Sequence, residues 1–219
     1  MDRAQRGGVR SDRRVGVCCT RLASRLSNPF KFTRSTPPSP NARPGINVSN
    51  TPGCVDEATA TTALYLIIST LRHFSKAERS LHAGTWNKPI SPGDTHDLTT
   101  RTLGILGLGG IGLPLAHLVH AFPMRVLYHS RRRRTDVPEW CEYVESVDAL
   151  CARSDVLSVH VPLREETRGL VGERQIRAMK RGSVIVNTAR GGVLDEAAVI
   201  RALEDGHVRC RLFVFCSLR

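Results

Sequence analysis

Short apolar runs rich in Val, Ile and Leu alternate along this chain with segments in which apolar residues recur at helical spacing. The first pattern is typical of buried strands and the second of amphipathic helices. A long helix is predicted from about Val55 to His82, with Gly84 as its stop. Strands are predicted at 102–106, 125–129, 156–161, 183–187 and 208–215.

Helices are predicted in most of the connections between these strands, and residues 135–142 are expected to be irregular. Ser146 is a candidate cap for one of the helices, because its hydroxyl can accept from a free N–H of the first turn. The predicted helices run from the glycines to about Phe122, from Ser146 to Ala152, from Glu173 to Met179 and from Leu194 to near Gly206.

The alternation of strands and helices predicts an α/β fold, a Rossmann-type doubly wound parallel sheet made of right-handed βαβ units. Ligands of such sheets bind beyond the carboxyl ends of the strands. We therefore expect four segments to meet in one crevice, since each follows a predicted strand. They are Gly107–Gly112, Ser130–Arg132, His160–Pro162 and Asn187–Gly191.

Gly107, Gly109 and Gly112 have the spacing G-x-G-x-x-G between a predicted strand and a predicted helix. The first glycine permits the sharp turn, the second lets backbone N–H groups approach a pyrophosphate, and the third allows close packing of helix on strand. The positive end of the helix would face the phosphates. The motif predicts dinucleotide binding.

The residues after the second strand bear on which dinucleotide is bound. NAD-selective domains place a carboxylate there, which accepts from the ribose 2′-hydroxyl. Here Ser130 is followed by Arg131 and Arg132, and a guanidinium can bind a 2′-phosphate through two donors. We predict NADPH in preference to NADH. The alternative is a solvated basic loop, which suits Arg133 and Arg134 better than Arg131.

Net charge and its distribution limit the classes of partner. The formal net charge is +12, but residues 1–44 hold ten Lys and Arg against two Asp. This Arg-, Ser- and Pro-rich segment is predicted to be a disordered basic tail, with the dinucleotide-binding domain at 45–219. Because the excess charge lies in a tail with few aromatic residues, a nucleic-acid-binding function is disfavoured.

Cysteine usage and hydropathy point to the cytosol. None of the seven cysteines forms a C-x-x-C pair, so neither a zinc site nor a redox motif is indicated, and reduced thiols are expected. The longest apolar run, near Ala63–Ile68, is too short to span a bilayer. A mitochondrial location is the alternative, since the acid-poor, Arg-rich start also fits a transit peptide.

Three segments of the chain carry a recognisable pattern: Leu103–Ser130, Ser154–Leu163 with Glu166–Leu170, and Met179–Glu196. Together they resemble the D-isomer-specific 2-hydroxyacid dehydrogenases, and residues 46–209 follow that family's pattern. The serine and arginine after the second strand are most similar to those of its NADPH-dependent glyoxylate and hydroxypyruvate reductases.

The resemblance implies roles for individual residues. Arg190 would hold the carboxylate of a small 2-oxo acid substrate and polarise its carbonyl; the alternative is a structural pair with Asp195. The family also forms homodimers through a helix and arm that correspond to 55–100. The implied cofactor contacts are Gly110 and Ile111 at the pyrophosphate, Ser130 and Arg131 at the adenosine ribose, Pro162 and Thr167 along the cleft, and Thr188, Ala189 and Arg190 near the nicotinamide.

The family's proton donor is a histidine supported by a glutamate, and both lie after the substrate arginine. His207 is the only histidine after Arg190 and belongs to a predicted helix end. We therefore expect a truncated domain that lacks its last strands and part of the catalytic set, with impaired activity and marginal stability. A non-catalytic, redox-sensing nucleotide-binding protein of the co-repressor type is the alternative.

Overall fold

The computed structural model describes residues 51–85 and 90–212. The predicted tail of 1–44 and the end of the last predicted strand lie outside these residues. Within them, helices cover both faces of a parallel sheet. The helices are α1 Asp56–Leu71, α2 Phe74–His82, α3 Gly112–His120, α4 Val147–Arg153, α5 Glu173–Ala178 and α6 Glu196–Glu204. The strands are β1 Thr102–Leu106, β2 Arg125–His129, β3 Cys141–Tyr143, β4 Val156–Val159, β5 Ser183–Asn187 and β6 Val208–Leu212.

The six strands lie in the order β3-β2-β1-β4-β5-β6, and every pairing is parallel. This is the strand order of a doubly wound dinucleotide-binding sheet. The predicted fold class is confirmed for the described residues. The expectation of missing C-terminal strands concerns residues beyond Leu212, outside the described part of the chain.

The core has two halves because the sheet is buried on both faces. Neighbouring residues of β1 show the division: Ile105 packs on the side of α1 and α3, whereas Leu106 packs on the side of α4, α5 and α6. Both side chains are almost completely buried. Strands buried on both sides have no polar face, which explains why they appear in the sequence as continuous apolar runs.

Two helices occupy the stretch for which one long helix was predicted, so that prediction is wrong at its centre. The helix α1 ends at Leu71, and His73 adopts a left-handed conformation with φ of 53° before α2 begins. The carbonyl of His73 then accepts from Lys76 and Ala77 to start α2. No Gly or Pro marks this break, so the helical spacing of the apolar residues concealed it.

The strand β3 was also missed, since 135–142 was predicted to be irregular. It has only three residues, and it pairs with β2 through Val126 and Cys141. A strand this short shows no periodicity, and Pro138 lies just before it. The predicted cap is confirmed, because the Ser146 hydroxyl accepts from the N–H of Ala149 at 3.2 Å.

Candidate functional site

The carboxyl ends of four strands lie side by side. His129, Leu106, Val159 and Asn187 are register partners in turn across β2, β1, β4 and β5. Each predicted segment leaves the sheet at or just after this row. The predicted convergence of the four segments on one edge of the sheet is therefore confirmed.

The glycine turn between β1 and α3 is shaped by contacts that side chains would block. Gly107 has φ of +98°, and a Cβ there would lie 2.9 Å from Val161 Cγ1. A Cβ on Gly112 would lie 2.4 Å from the carbonyl oxygen of Gly107. A Cβ on Gly109, in contrast, would meet no atom of the described residues within 4 Å. The first and third glycines are needed by the fold, and the second borders open space.

The backbone of this turn presents unused donors to that space. The N–H groups of Gly110 and Ile111 donate to no carbonyl of the described residues, and α3 begins directly after them. Free N–H groups at a helix N-terminus attract anions. The open face of Gly109 leaves room for a phosphate group against this backbone, so the residues present fit a dinucleotide's pyrophosphate.

The basic loop Ser130–Arg134 is tied to the glycine turn by its last residue. Arg134 Nη1 donates to the carbonyl of Leu108 at 2.6 Å, and Arg134 Nε donates to Asp136 Oδ1 at 2.8 Å. This hydrogen bond with Asp136 raises the pKa of Arg134. The alternative of a solvated Arg134 is therefore wrong: the side chain anchors the loop. Neither composition nor spacing signalled this role.

The other arginines of the loop differ in their surroundings. Arg133 lies over the ring of Tyr143, 6.0 Å from its centroid. Arg131 and Arg132 are exposed and form no ion pair with any described residue. The Ser130 hydroxyl donates to the carbonyl of Arg132 at 2.8 Å, which curls the loop. Two guanidinium groups therefore remain available for a ligand at this side of the crevice.

The loop after β5 is held by Asn187, a completely buried residue that begins the predicted segment Asn187–Gly191 but was given no role of its own. Its Oδ1 accepts from the N–H of Ala189, and its Nδ2 donates to the carbonyl of Arg190, each at 2.9 Å. Arg190 is exposed and donates to the carbonyl of Ala189 at 2.7 Å. The alternative pair with Asp195 is not formed, since that carboxylate caps α6 through the N–H of Ala198.

The remaining predicted contacts occupy the loop after β4. Pro162 is exposed, and its carbonyl accepts from the Thr167 hydroxyl at 2.7 Å. His207 lies away from them, because it precedes β6 at the opposite edge of the sheet, where its Nε2 is 3.1 Å from the carbonyl of Ile176. The prediction that His207 does not serve the crevice is consistent with this place. Within 51–85 and 90–212, no cluster of three or more His, Cys, Asp or Glu could hold a metal ion.

His160 joins the ends of β4 and β5; it begins the predicted segment His160–Pro162, but no role was predicted for its side chain. Its Nε2 is 2.8 Å from the Ser158 hydroxyl, and its Nδ1 is 3.2 Å from the Thr188 hydroxyl. Burial lowers the pKa of His160 to about 4, so the ring is neutral at pH 7. A neutral ring can accept at one nitrogen and donate at the other, which suits two hydroxyl partners. His160 therefore fixes the hydroxyl of Thr188.

Because His160 is buried as a neutral ring, we expect the free energy of unfolding of the chain to fall in acid. Because its pKa is about 4 in the folded chain and near 6.5 in the unfolded one, the unfolded state binds the extra proton between these values. Stability falls as the pH drops from about 6.5 towards 4. At pH 5 we expect the loss to be about 2 kcal/mol.

His160→Gln keeps an amide for the hydroxyls but removes this titration. Urea unfolding at pH 7 and pH 5 should show a smaller acid loss in the variant than in the wild type. The paired surface carboxylates titrate in both proteins, so their contribution cancels when the acid loss of stability of the variant is compared with that of the wild type. An equal acid loss in the two proteins would contradict the assignment.

Comparison with known proteins agrees with the fold. A family model for the D-isomer specific 2-hydroxyacid dehydrogenase, NAD binding domain, matches residues 64–214. The chain is 43% identical to 4-methyl-2-oxopentanoate reductase A of Aspergillus oryzae and 39% identical to a glyoxylate reductase of Aeropyrum pernix, over 75% and 76% of its length. A solved glyoxylate reductase from Paecilomyes thermophila superposes with a TM-score of 0.66 and 41% identity over 71% of the chain.

The chain covers 49%, 51% and 48% of these three proteins, about half the length of each. The matched range of 64–214 includes β1 to β6 and all four segments at the crevice. It also extends past Arg209, where the sequence was expected to leave the pattern. The chain belongs to the D-isomer specific 2-hydroxyacid dehydrogenase family and carries its NAD-binding domain.

Proposed function

We propose that the chain binds a nicotinamide dinucleotide in this crevice, prefers NADPH, and forms the cofactor-binding part of a reductase of small 2-oxo acids such as glyoxylate or hydroxypyruvate. The observation that carries the proposal is that the carboxyl ends of β2, β1, β4 and β5 lie side by side. It brings the glycine turn, the basic loop and Arg190 to one edge of the sheet. The names of the two reductases from Aspergillus oryzae and Aeropyrum pernix support the substrate class.

The preference for NADPH rests on the charges of the basic loop. The first carboxylate after β2 is Asp136, and its charge is already paired with Arg134. Arg131 and Arg132 remain exposed without an ion pair among the described residues. A 2′-phosphate would therefore meet two free guanidinium groups and no free carboxylate of this loop, which favours NADPH over NADH.

The proposed role of Arg190 follows from its place and its support. The bound dinucleotide would supply a hydride to the carbonyl carbon of the 2-oxo acid. Arg190 would grip the substrate carboxylate with two N–H donors and polarise the carbonyl oxygen. The hydrogen bonds of Asn187 with Ala189 and Arg190 hold this loop in one conformation. An arginine on a fixed loop loses less conformational entropy when it binds the acid.

Arg190→Ala is expected to lower the affinity of the NADPH-saturated chain for glyoxylate at least about tenfold, because a charge-assisted bidentate contact is lost. Calorimetric titration of glyoxylate into the saturated chain measures this. NADPH affinity should change much less. The control is Arg181→Ala, at the opposite end of β5. Unchanged glyoxylate affinity in the Arg190 variant would refute the role, and a wild-type chain that binds neither dinucleotide would refute the proposed function.

Homodimerisation through 55–100 remains part of the proposal. Large apolar side chains on α1 and α2 are exposed, among them Tyr65 at 59%, Phe74 at 50% and Leu81 at 58%. Large apolar side chains exposed on neighbouring helices support a dimer contact there. Within 51–85 and 90–212, every helix is too short or too polar to span a bilayer.

A further inference from the structure

Asp56 brings a carboxylate onto the glycine turn. It is the first residue of α1 and is half-buried. A Cβ built on Gly110 would lie 2.1 Å from Asp56 Oδ2 and 2.9 Å from Asp56 Cγ, so the carboxylate packs directly on the Gly110 backbone. Among the described residues, this carboxylate accepts no hydrogen bond and forms no ion pair.

The backbone beneath Asp56 is the part of the crevice that fits phosphate. The N–H groups of Gly110 and Ile111 have no carbonyl partner among the described residues. The positive end of α3 begins there, and the positive end of α1 lies at Asp56 itself. A negative charge is favoured by both helix ends. The same field would attract a pyrophosphate, so the carboxylate and the phosphates compete for one positive region.

Like charges within a few ångströms of each other repel even in a solvated crevice. We propose that Asp56 sets the affinity of the glycine turn for dinucleotides by acting as a built-in anion that opposes the pyrophosphate. The effect is weaker binding and faster release of the cofactor. The inference rests on the proposed dinucleotide binding, but it is independent of the preference for NADPH, because NADPH and NADH carry the same pyrophosphate.

The test compares Asp56→Asn and Asp56→Ala with Glu57→Gln in the full chain. Glu57 is the next residue of α1, is exposed and has the same charge. Fluorescence titration should show NADPH and NADH each bound about fivefold to tenfold more tightly by both Asp56 variants. The NADPH-to-NADH ratio should not change. The alanine variant excludes a new hydrogen bond from the asparagine amide as the source of the gain.

Two further readouts separate repulsion from a change in structure. The gain should shrink as salt is raised, because screening weakens repulsion between partly exposed charges. Adenosine, which has no phosphate, should bind the variants and the wild type equally. Thermal melting of each variant reports its fold. If the Asp56 variants bind the dinucleotides equally or more weakly, or if Glu57→Gln gives the same gain, the inference is wrong. Failure of the wild type to bind either dinucleotide would instead overturn the proposed function.

Discussion

Gly112→Ala is expected to destabilise the chain by about 3 kcal/mol, the upper end of what overpacking costs. The new Cβ would lie 2.4 Å from the carbonyl oxygen of Gly107 and 3.0 Å from Ile105 Cγ2. A backbone oxygen cannot rotate away as a flexible side chain can, so α3 and the glycine turn must separate. For a domain of this size, the melting temperature should fall by roughly 6–12 °C. Thermal unfolding followed by circular dichroism measures the change.

Gly109→Ala is the matched control, because its Cβ meets no atom of the described residues within 4 Å. Its melting temperature should stay within about 2 °C of the wild type. Dinucleotide affinity should nevertheless fall, since the methyl group would project into the space assigned to the pyrophosphate. The pair thus separates a glycine that the fold needs from a glycine that the ligand needs. Equal melting temperatures for the Gly112 variant and the wild type would contradict the packing described for α3.

Arg131→Ala is expected to weaken NADPH binding about 10- to 100-fold and to leave NADH binding nearly unchanged. The wild type should bind NADPH more tightly than NADH. NADPH binding should weaken in the Arg131 variant because a charge-assisted, two-donor contact is lost, and NADH is unaffected because it has no 2′-phosphate to make that contact. Parallel fluorescence titrations with the two reduced dinucleotides give both affinities.

Arg133→Ala is the control for this prediction, since it removes the same charge from a side chain that lies over Tyr143. It should change the NADPH-to-NADH ratio much less than Arg131→Ala does. Two results would contradict the proposed preference. One is a wild type that binds NADH as tightly as NADPH, and the other is an equal loss of both dinucleotides in the Arg131 variant.

The sheet and the placement of the four segments at one edge could be predicted because they depend on local sequence patterns, namely apolar runs and glycine spacing. Continuous apolar runs located β1, β2, β4 and β5 almost to the residue. The glycine spacing then placed the turn at the end of β1, since each glycine answers a local steric demand. Parallel pairing brought the other segments to the same edge. None of these predictions required knowing which residues far apart in the sequence are in contact.

The rest depended on contacts between residues far apart in the sequence. Nothing near Arg134 shows that its guanidinium reaches the carbonyl of Leu108, 26 residues away. The contact of Asp56 with Gly110 could not be predicted from the sequence either. An acidic residue at the start of a helix is already explained by the helix dipole, so nothing pointed to a second contact. Asn187 was placed in a crevice segment, but its two hydrogen bonds within the loop could not be predicted from the sequence. The break at His73 was also missed, because His73 adopts its left-handed conformation without a Gly or Pro nearby to signal it.

The hydrogen bond from Arg134 to the carbonyl of Leu108 limits how this chain can be re-engineered for another cofactor. It joins the loop that would recognise the adenosine end to the turn that would hold the pyrophosphate. A transplanted loop that omits Arg134 or its partner Asp136 would change selectivity and also weaken or remove the hydrogen bond to the glycine turn. Coenzyme redesign should therefore vary Ser130–Arg133 and retain the anchor behind them.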